Sequence, residues 1–279
     1  MPTCPVCRSR NVEPRPAFNG FPMSRCGECT LLFTSRRNVP VEVYDQLYQA
    51  DPTYAAMKRA AENAADGTSG LDELWWSKRF AFGYLEARLT GRSLLDVGCG
   101  PGEFLLIARR RGWCATGVEP APEPARQSAS YGFQIYEGML EDYAAQTHQR
   151  FDAITAFEVL EHVPNPRSVL DSMASLLKPD GLLLLSVPNL DDPYLLRLRN
   201  AASVPPVHIN FFNRRSMAHA LRSAGLEAER FKTLPIPTYT VRLLHGRKGL
   251  LLRLPWLGLL SLFRRADGST LVTIARWRR

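Results

Sequence analysis

Short apolar runs alternate with amphipathic stretches through the later two thirds of the chain. From residue 92 they read "SLLDVG", "FLLIARRRG", "CATGVEP", "EPARQSASYG", "FDAITAFEV", "SVLDSMASLLKPDG" and "LLLLSVPN". Strand and helix repeated in this way predict an α/β fold, a parallel sheet with helices on both faces. A helix is expected over residues 213–227, "NRRSMAHALRSAGLE", followed by a strand at "AERFKTL". The alternating residues of "STLVTIARW" predict a last sheet strand.

Upstream, helix formers predominate over residues 36–90. Tyr44 and Tyr48 are four apart, as are Trp75 and Arg79, the spacing of short helices laid over another layer. "ADGTSG", residues 65–70, is the expected flexible joint. The chain therefore divides into a small module at 1–35, a helical linker and lid region at 36–90, and the sheet domain at 91–279.

At 279 residues, 45% hydrophobic and 22% charged, the chain has the composition of a soluble globular protein, which excludes general disorder and a membrane bundle. The formal charge of +8 is unevenly placed. From residue 242 onward, arginines and lysines are interleaved with leucines against a single acid, Asp267, whereas nucleic-acid binders interleave theirs with polar or stacking residues. A lipid surface suits this segment better than nucleic acid does. Residues 243–265 form a basic, apolar insertion before the last strand, broken by Pro255 and Gly258. Its longest uncharged run, residues 254–263, is about half of the roughly twenty residues needed to span a bilayer. It is expected to lie on a membrane, or to cover the protein's own sheet or a partner. The first residues lack an apolar stretch of signal-peptide length, so the expected location is cytoplasmic, with 243–265 as the segment that could add peripheral contact with the inner face of the membrane.

Four of the six cysteines fall in the first thirty residues, as "CPVC", eighteen intervening residues, then "CGEC". Two such turns place the thiolates of Cys4, Cys7, Cys26 and Cys29 for a tetrahedral structural Zn²⁺, with Gly27 easing the second knuckle. Disulfides or a redox dithiol are the rivals, disfavoured by an intracellular setting. Cys99 and Cys114 read as small buried apolar residues.

Gly98, Gly100 and Gly102 follow the first strand of the sheet directly, with Asp96 just before them. That is the strand edge where open parallel sheets bind ligands. The spacing is G-x-G-x-G, not the dinucleotide G-x-G-x-x-G, and no P-loop lysine follows. Glu119 lies twenty-one residues after Gly98, where a carboxylate can hold two ribose hydroxyls. A ligand with a ribose and no phosphate fits.

"LLDVGCGPGEFL", "GVEP", "FDAITAFEVLEHVPNP" and "LKPDGLLLLSVPN", in this order, resemble the class I S-adenosylmethionine-dependent methyltransferases over residues 71–279. The resemblance implies a Rossmann-like sheet binding S-adenosyl-L-methionine. It places Asp96 and the loop of Gly98, Cys99, Gly100 and Gly102 at the methionine end of the cofactor. Glu119 falls at the ribose, Met139 and Leu140 of "EGMLEDY" at the adenine, and Phe157 and Glu158 on the near wall. "CPVC…CGEC" with "HINFFNRRSMAHALRSAGL" is similar to members encoded beside sugar, glycan and lipid biosynthesis genes. A small-molecule, sugar or lipid-linked acceptor is therefore expected, by analogy.

A sulfonium is already an excellent leaving group, so alignment of the nucleophile carries most of the rate. A hydroxyl acceptor also benefits from a base, and a neutral imidazole of pKa about 6.5 suits it. The candidates are His162 in "EVLEHVPNP" and, preferred, His208 in "PPVHINFF"; bracing of the loop beside Pro164 and ordinary packing are their respective alternatives. "EVLEHV" also resembles quinone-pathway O-methyltransferases, and Glu158, Glu161 and His162 are spaced to hold a divalent metal. A non-catalytic cofactor-binding scaffold is a second class of function. RNA methylation is a third, disfavoured because the fifth strand ends "SVPN", not in an Asn/Asp-Pro-Pro-aromatic signature.

Overall fold

The computed structural model describes residues 2–36, 52–68, 76–192, 205–234 and 269–278. Two sheets organise them. The larger has seven strands: β4 (Ser93–Val97), β5 (Cys114–Glu119), β6 (Gln134–Glu137), β7 (Phe151–Phe157), β8 (Leu177–Pro188), β10 (Leu226–Leu234) and β11 (Thr270–Trp277), in the order β10-β11-β8-β7-β4-β5-β6. Strands β4 to β8 pair in parallel, while β11 runs antiparallel to both β8 and β10. From β4 the chain winds outward through β5 and β6, then crosses to β7 on the other side. The switch point lies at the carboxyl end of β4, directly below the glycine loop.

Both faces of this sheet are buried, which explains the continuous apolar runs. Leu94, Leu182 and Leu184 point to one face, into a core built with Ala61 and Ala64 of α1 (Pro52–Ala65), Phe82 and Leu85 of α2 (Trp76–Arg88), and Phe104 and Ile107 of α3 (Glu103–Arg110). Their neighbours Leu95, Leu183 and Leu185 point to the other. There they meet α5 (Leu140–Gln146), α6 (Pro166–Leu176) and α7 (Arg214–Ser223), while α4 (Pro122–Ser130) leads from β5 to β6.

Local signals set the helix ends. Asn165 caps α6 by accepting the Ser168 amide at 3.3 Å, with Pro166 in the first turn. Asn213 and Ser216 form a reciprocal capping box at α7. That helix stops at Ser223, short of the expected residue 227, because Gly225 takes φ +77° and turns the chain into β10.

The smaller sheet joins the N-terminal segment to the rest. Its order is β1 (Val12–Phe18), β2 (Phe21–Cys26), β3 (Leu32–Thr34) and β9 (Asn210–Phe211), all antiparallel. Cys4, Val6, Cys26, Cys29, Leu31 and Phe33 belong to the same apolar core as Phe212 and Met217. Residues 1–35 thus share both a sheet and a core with the chain that follows β8.

Tyr44, Tyr48, Trp75 and the basic apolar stretch at 243–265 lie outside the described residues, as does the end of the 65–70 joint. Among the described residues no helix is long and apolar enough to cross a membrane. Cys99 is buried as expected, but Cys114 is exposed: it opens β5, where the strand emerges from the sheet layer.

Candidate active site at the carboxyl edge of the sheet

Gly98, Gly100 and Gly102 all adopt positive φ, at 69°, 55° and 90°. A Cβ on Gly98 would lie 2.7 Å from Val159, and one on Gly102 would lie 2.8 Å from the Ser128 hydroxyl. At Gly100 the nearest atom is the Met57 methyl at 3.5 Å, so α1 passes over open space above the loop. Tyr54 and Lys58 of α1 hold Glu123 at 2.6 and 2.9 Å, fastening that cover to α4.

Glu119 ends β5 and is 2% exposed. Its two oxygens accept the Gly100 and Ala121 amides, each at 2.9 Å. The Cys99 side chain turns down toward Gly117, whose missing Cβ makes room for it, so only its backbone faces the loop. Asp96 is buried and accepts the Thr155 hydroxyl at 2.7 Å. Burial raises its pKa to about 7, opposed by Lys78 and Thr155.

Lys78 is the residue that motif reading missed. It ion-pairs with Glu103, both side chains buried, and its ammonium lies 5.7 Å from the centre of the Phe157 ring. The other Glu103 oxygen has no hydrogen-bond partner among the described residues. A signal existed: Lys78 shares the buried face of α2 with Ala81, Phe82 and Leu85, so a lysine holds an apolar position at helical spacing. Among the described residues, Asp96 has the carboxyls of Glu103 and Glu119 and the ammonium of Lys78 as its charged neighbours, a surplus of acids that suits a ligand carrying positive charge.

Phe157 packs edge-on against Phe104 at 4.9 Å. Met139 is 40% exposed at the rim, whereas Leu140 turns into the core, leaving Met139 as the open side chain of that pair. Glu158 holds positive φ at the end of β7 and accepts the Ser186 hydroxyl at 2.7 Å.

Glu161, His162 and His208 form a second cluster, their ligand atoms all within 4.8 Å of one another. The imidazoles meet edge to face at 4.7 Å, and His162 Nδ1 lies 2.9 Å from the Val207 carbonyl oxygen. Neither Glu161 oxygen, nor His208 Nδ1, has a hydrogen-bond partner among the described residues. Burial, with the Glu158 carboxylate beside it, pushes Glu161 well above the usual carboxylate range. Burial also lowers both histidines, His162 to about 4 and His208 well below its ordinary value, where His162 adds to the effect. Both rings are therefore neutral at pH 7, and neither titrates near the 6.5 expected of a free imidazole. Of the acids proposed from spacing as metal ligands, Glu161 joins the histidines, whereas Glu158 is outside the set.

At the N-terminus the four cysteine sulfurs converge. Cys4 and Cys29 approach to 3.5 Å, Cys7 and Cys26 to 3.4 Å, with all four thiols free of disulfides. A tetrahedron with metal–sulfur bonds of about 2.3 Å has edges of about 3.8 Å, so the donor set fits one ion with little adjustment.

Comparison with known proteins agrees with this geometry. Residues 73–230, more than half of the chain, match the family described as a methyltransferase domain. A ubiquinone biosynthesis O-methyltransferase from Xanthomonas axonopodis pv. citri is 31% identical over 206 residues, 63% of this chain and 85% of that one. Another from Haemophilus ducreyi is 38% identical over 121 residues, 39% of this chain and 51% of its own length. Among solved structures, Burkholderia thailandensis 1,6-didemethyltoxoflavin-N1-methyltransferase, with bound S-adenosylhomocysteine, superposes with a TM-score of 0.54 at 18% identity, covering 96% of this chain and 100% of that one. A SAM-dependent methyltransferase from Archaeoglobus fulgidus gives 0.52 at 20% identity, covering 71% and 91%. These two likenesses speak to the fold alone. On the sequence match, the glycine loop and the seven-stranded sheet together, the chain belongs to the methyltransferase-domain family and is a class I S-adenosylmethionine-dependent methyltransferase.

Proposed function

We propose that this protein methylates an oxygen of a small, lipid-linked phenolic acceptor, with His208 as the base. The observation that carries the reading is the buried, unpartnered His208 Nδ1 beside His162 at the end of the sheet where the glycine loop opens. The acceptor class draws on the ubiquinone biosynthesis O-methyltransferases, which the chain resembles at 30–40% identity.

S-adenosylmethionine, when bound, supplies a methyl group on a sulfonium. In this reading Asp96 and Lys78 hold the ammonium and carboxylate of its methionine end, Glu119 the ribose, and Met139 the adenine. Phe157 and Glu158 close the near wall. His208 removes the acceptor proton as the methyl transfers, and His162 fixes its ring. The four cysteines hold a structural Zn²⁺, whose four sulfur ligands leave no position for catalysis. Residues 243–265, outside the described residues, hold the protein against a membrane containing the acceptor.

A second reading of the acceptor side is favoured by one observation: Glu161, His162 and His208 offer one carboxylate and two imidazoles within 4.8 Å. A divalent cation there would orient a phenolate oxygen. Turnover with methyl-labelled cofactor and a prenylated catechol tests both. An aryl methyl ether as product supports oxygen transfer. Full activity after chelation mild enough to leave one equivalent of zinc on the cysteines favours the base, and loss restored by Mg²⁺ favours the cation. Methylation of amines but of no hydroxyl acceptor would overturn the proposal.

A further inference from the structure

His208 sits in the middle of a strap, residues 205–213, that is bound on two sides. Toward β7 it is tied to the loop of His162. The Ile209 and Asn210 amides donate to the Glu161 carbonyl at 2.8 and 3.1 Å, and the Asn210 side chain donates to the Leu160 and Val163 carbonyls at 2.9 and 2.8 Å. Its outer side is held by the cysteine module. Leu32 and Phe33 pair in register with Phe211 and Asn210, and the Thr34 amide donates to Ile209 at 3.1 Å.

The module also grips both ends. Asn19 donates to the Pro205 carbonyl at 2.7 Å, and Thr30 donates to the Asn213 side chain at 3.1 Å. Thr30 directly follows the ligand Cys29. Phe18 packs edge-on against Phe211 at 6.1 Å. Three short strands and two cysteine turns have no closed core of their own. Their buried side chains finish against Phe212 and α7, so whatever sets the cysteine turns also sets the sheet edge that β9 completes.

We propose that the cysteine module is a clamp on the acceptor side of the enzyme: metal held by Cys4, Cys7, Cys26 and Cys29 fixes β3 against β9 and thereby positions His208. The module acts through the strap and touches neither cofactor nor acceptor, which makes Asn19, Thr30 and Thr34 positioning residues. The inference rests on the assignment of His208 for its effect on rate, but not for its effect on the strap.

The test uses the full, metal-loaded chain carrying Asn19→Gly and Thr30→Val. Glycine tolerates the positive φ of Asn19; Thr30 also holds positive φ, at 67°, and valine keeps its β-branched shape there, so both end ties are removed while the cysteines remain. Expected are one equivalent of zinc by elemental analysis, S-adenosylmethionine affinity within twofold of wild type, amide exchange at residues 207–212 at least tenfold faster, and kcat at least fivefold lower with KM for the cofactor unchanged. Cys29→Ser should lose the metal and produce the same exchange pattern more strongly. Faster exchange with unchanged kcat would support the clamp and refute His208 as base. Unchanged exchange at residues 207–212 in the double variant, or wild-type protein without bound metal, would overturn the clamp.

Discussion

The His208 ring lies edge to face with His162, 4.7 Å between centroids, and the Val207 carbonyl, one residue before His208, sits 2.9 Å from His162 Nδ1. The two histidines come from different loops and are fixed as a unit. His208→Ala should lower kcat by roughly 10²–10⁴ with little change in cofactor affinity, and His162→Ala should cost less. Burial favours the neutral form of both rings, so the rate of enzyme that keeps its cysteine-held zinc but no added divalent cation should stay level from pH 8 to pH 6. Steady-state kinetics of both variants across that range decides it. Near-normal turnover in His208→Ala with an inactive His162→Ala would reverse the roles.

Glu119 should matter twice, as a partner for the ligand and as the anchor of the Gly100 amide. A charge-assisted hydrogen bond contributes about 1.5–3 kcal/mol, so Glu119→Ala should weaken S-adenosylmethionine binding at least tenfold. Gly100→Val, with φ of 55° and a side chain pushed into the space under Met57, should abolish it. Calorimetric titration measures both.

If Asp96 holds the ammonium of the cofactor as proposed, binding should depend on pH. Its pKa is raised to about 7 by burial, so the free protein carries it partly protonated at neutral pH. Contact with an ammonium requires the carboxylate, and the proton must leave on binding. Affinity should therefore fall as pH drops below about 7, by up to tenfold per unit, and level off above it. Asp96→Asn should remove the dependence.

Asp152 is a stability device remote from the chemistry. It accepts the Ser93 amide at 3.0 Å, the Ser93 hydroxyl at 2.5 Å and Lys178 at 2.9 Å, joining β4 to β7 and β8. Burial works to raise its pKa, but Ser93 and Lys178 outweigh that and lower it. A depressed carboxylate contributes stability above its unfolded pKa of about 3.9 and loses it as pH falls through the lower folded value. Asp152→Ala should cost about 1–3 kcal/mol at pH 7 in urea denaturation, and much less near pH 2. Gly91→Ala should also destabilise, since its Cβ would fall 2.2 Å from the same carboxyl.

The basic apolar stretch at 243–265 carries the membrane expectation. The 279-residue chain should co-sediment with anionic vesicles at low salt and be released at high salt. Absence of binding at low salt would leave those leucines to the protein's own sheet or to a partner.

The sheet, the glycine loop, the place of Glu119 beside that loop and the convergence of the four cysteines were legible from sequence because each depends on local spacing. A strand buried on both faces is mostly apolar, a loop turning three times at positive φ within five residues favours glycine, and two C-x-x-C turns can meet around one ion. Tertiary structure decided the partnerships that cross the chain. Lys78 looks like one of thirty-five basic residues until α2 buries it against Glu103. Glu161 gained its place beside the histidines, and Glu158 lost one, only when the loop after β7 folded with Glu158 at positive φ. The link between residues 30–34 and 210–213 spans nearly 180 positions, where no periodicity reaches, and only the pairing of β3 with β9 brings the cysteine module to the strap of His208.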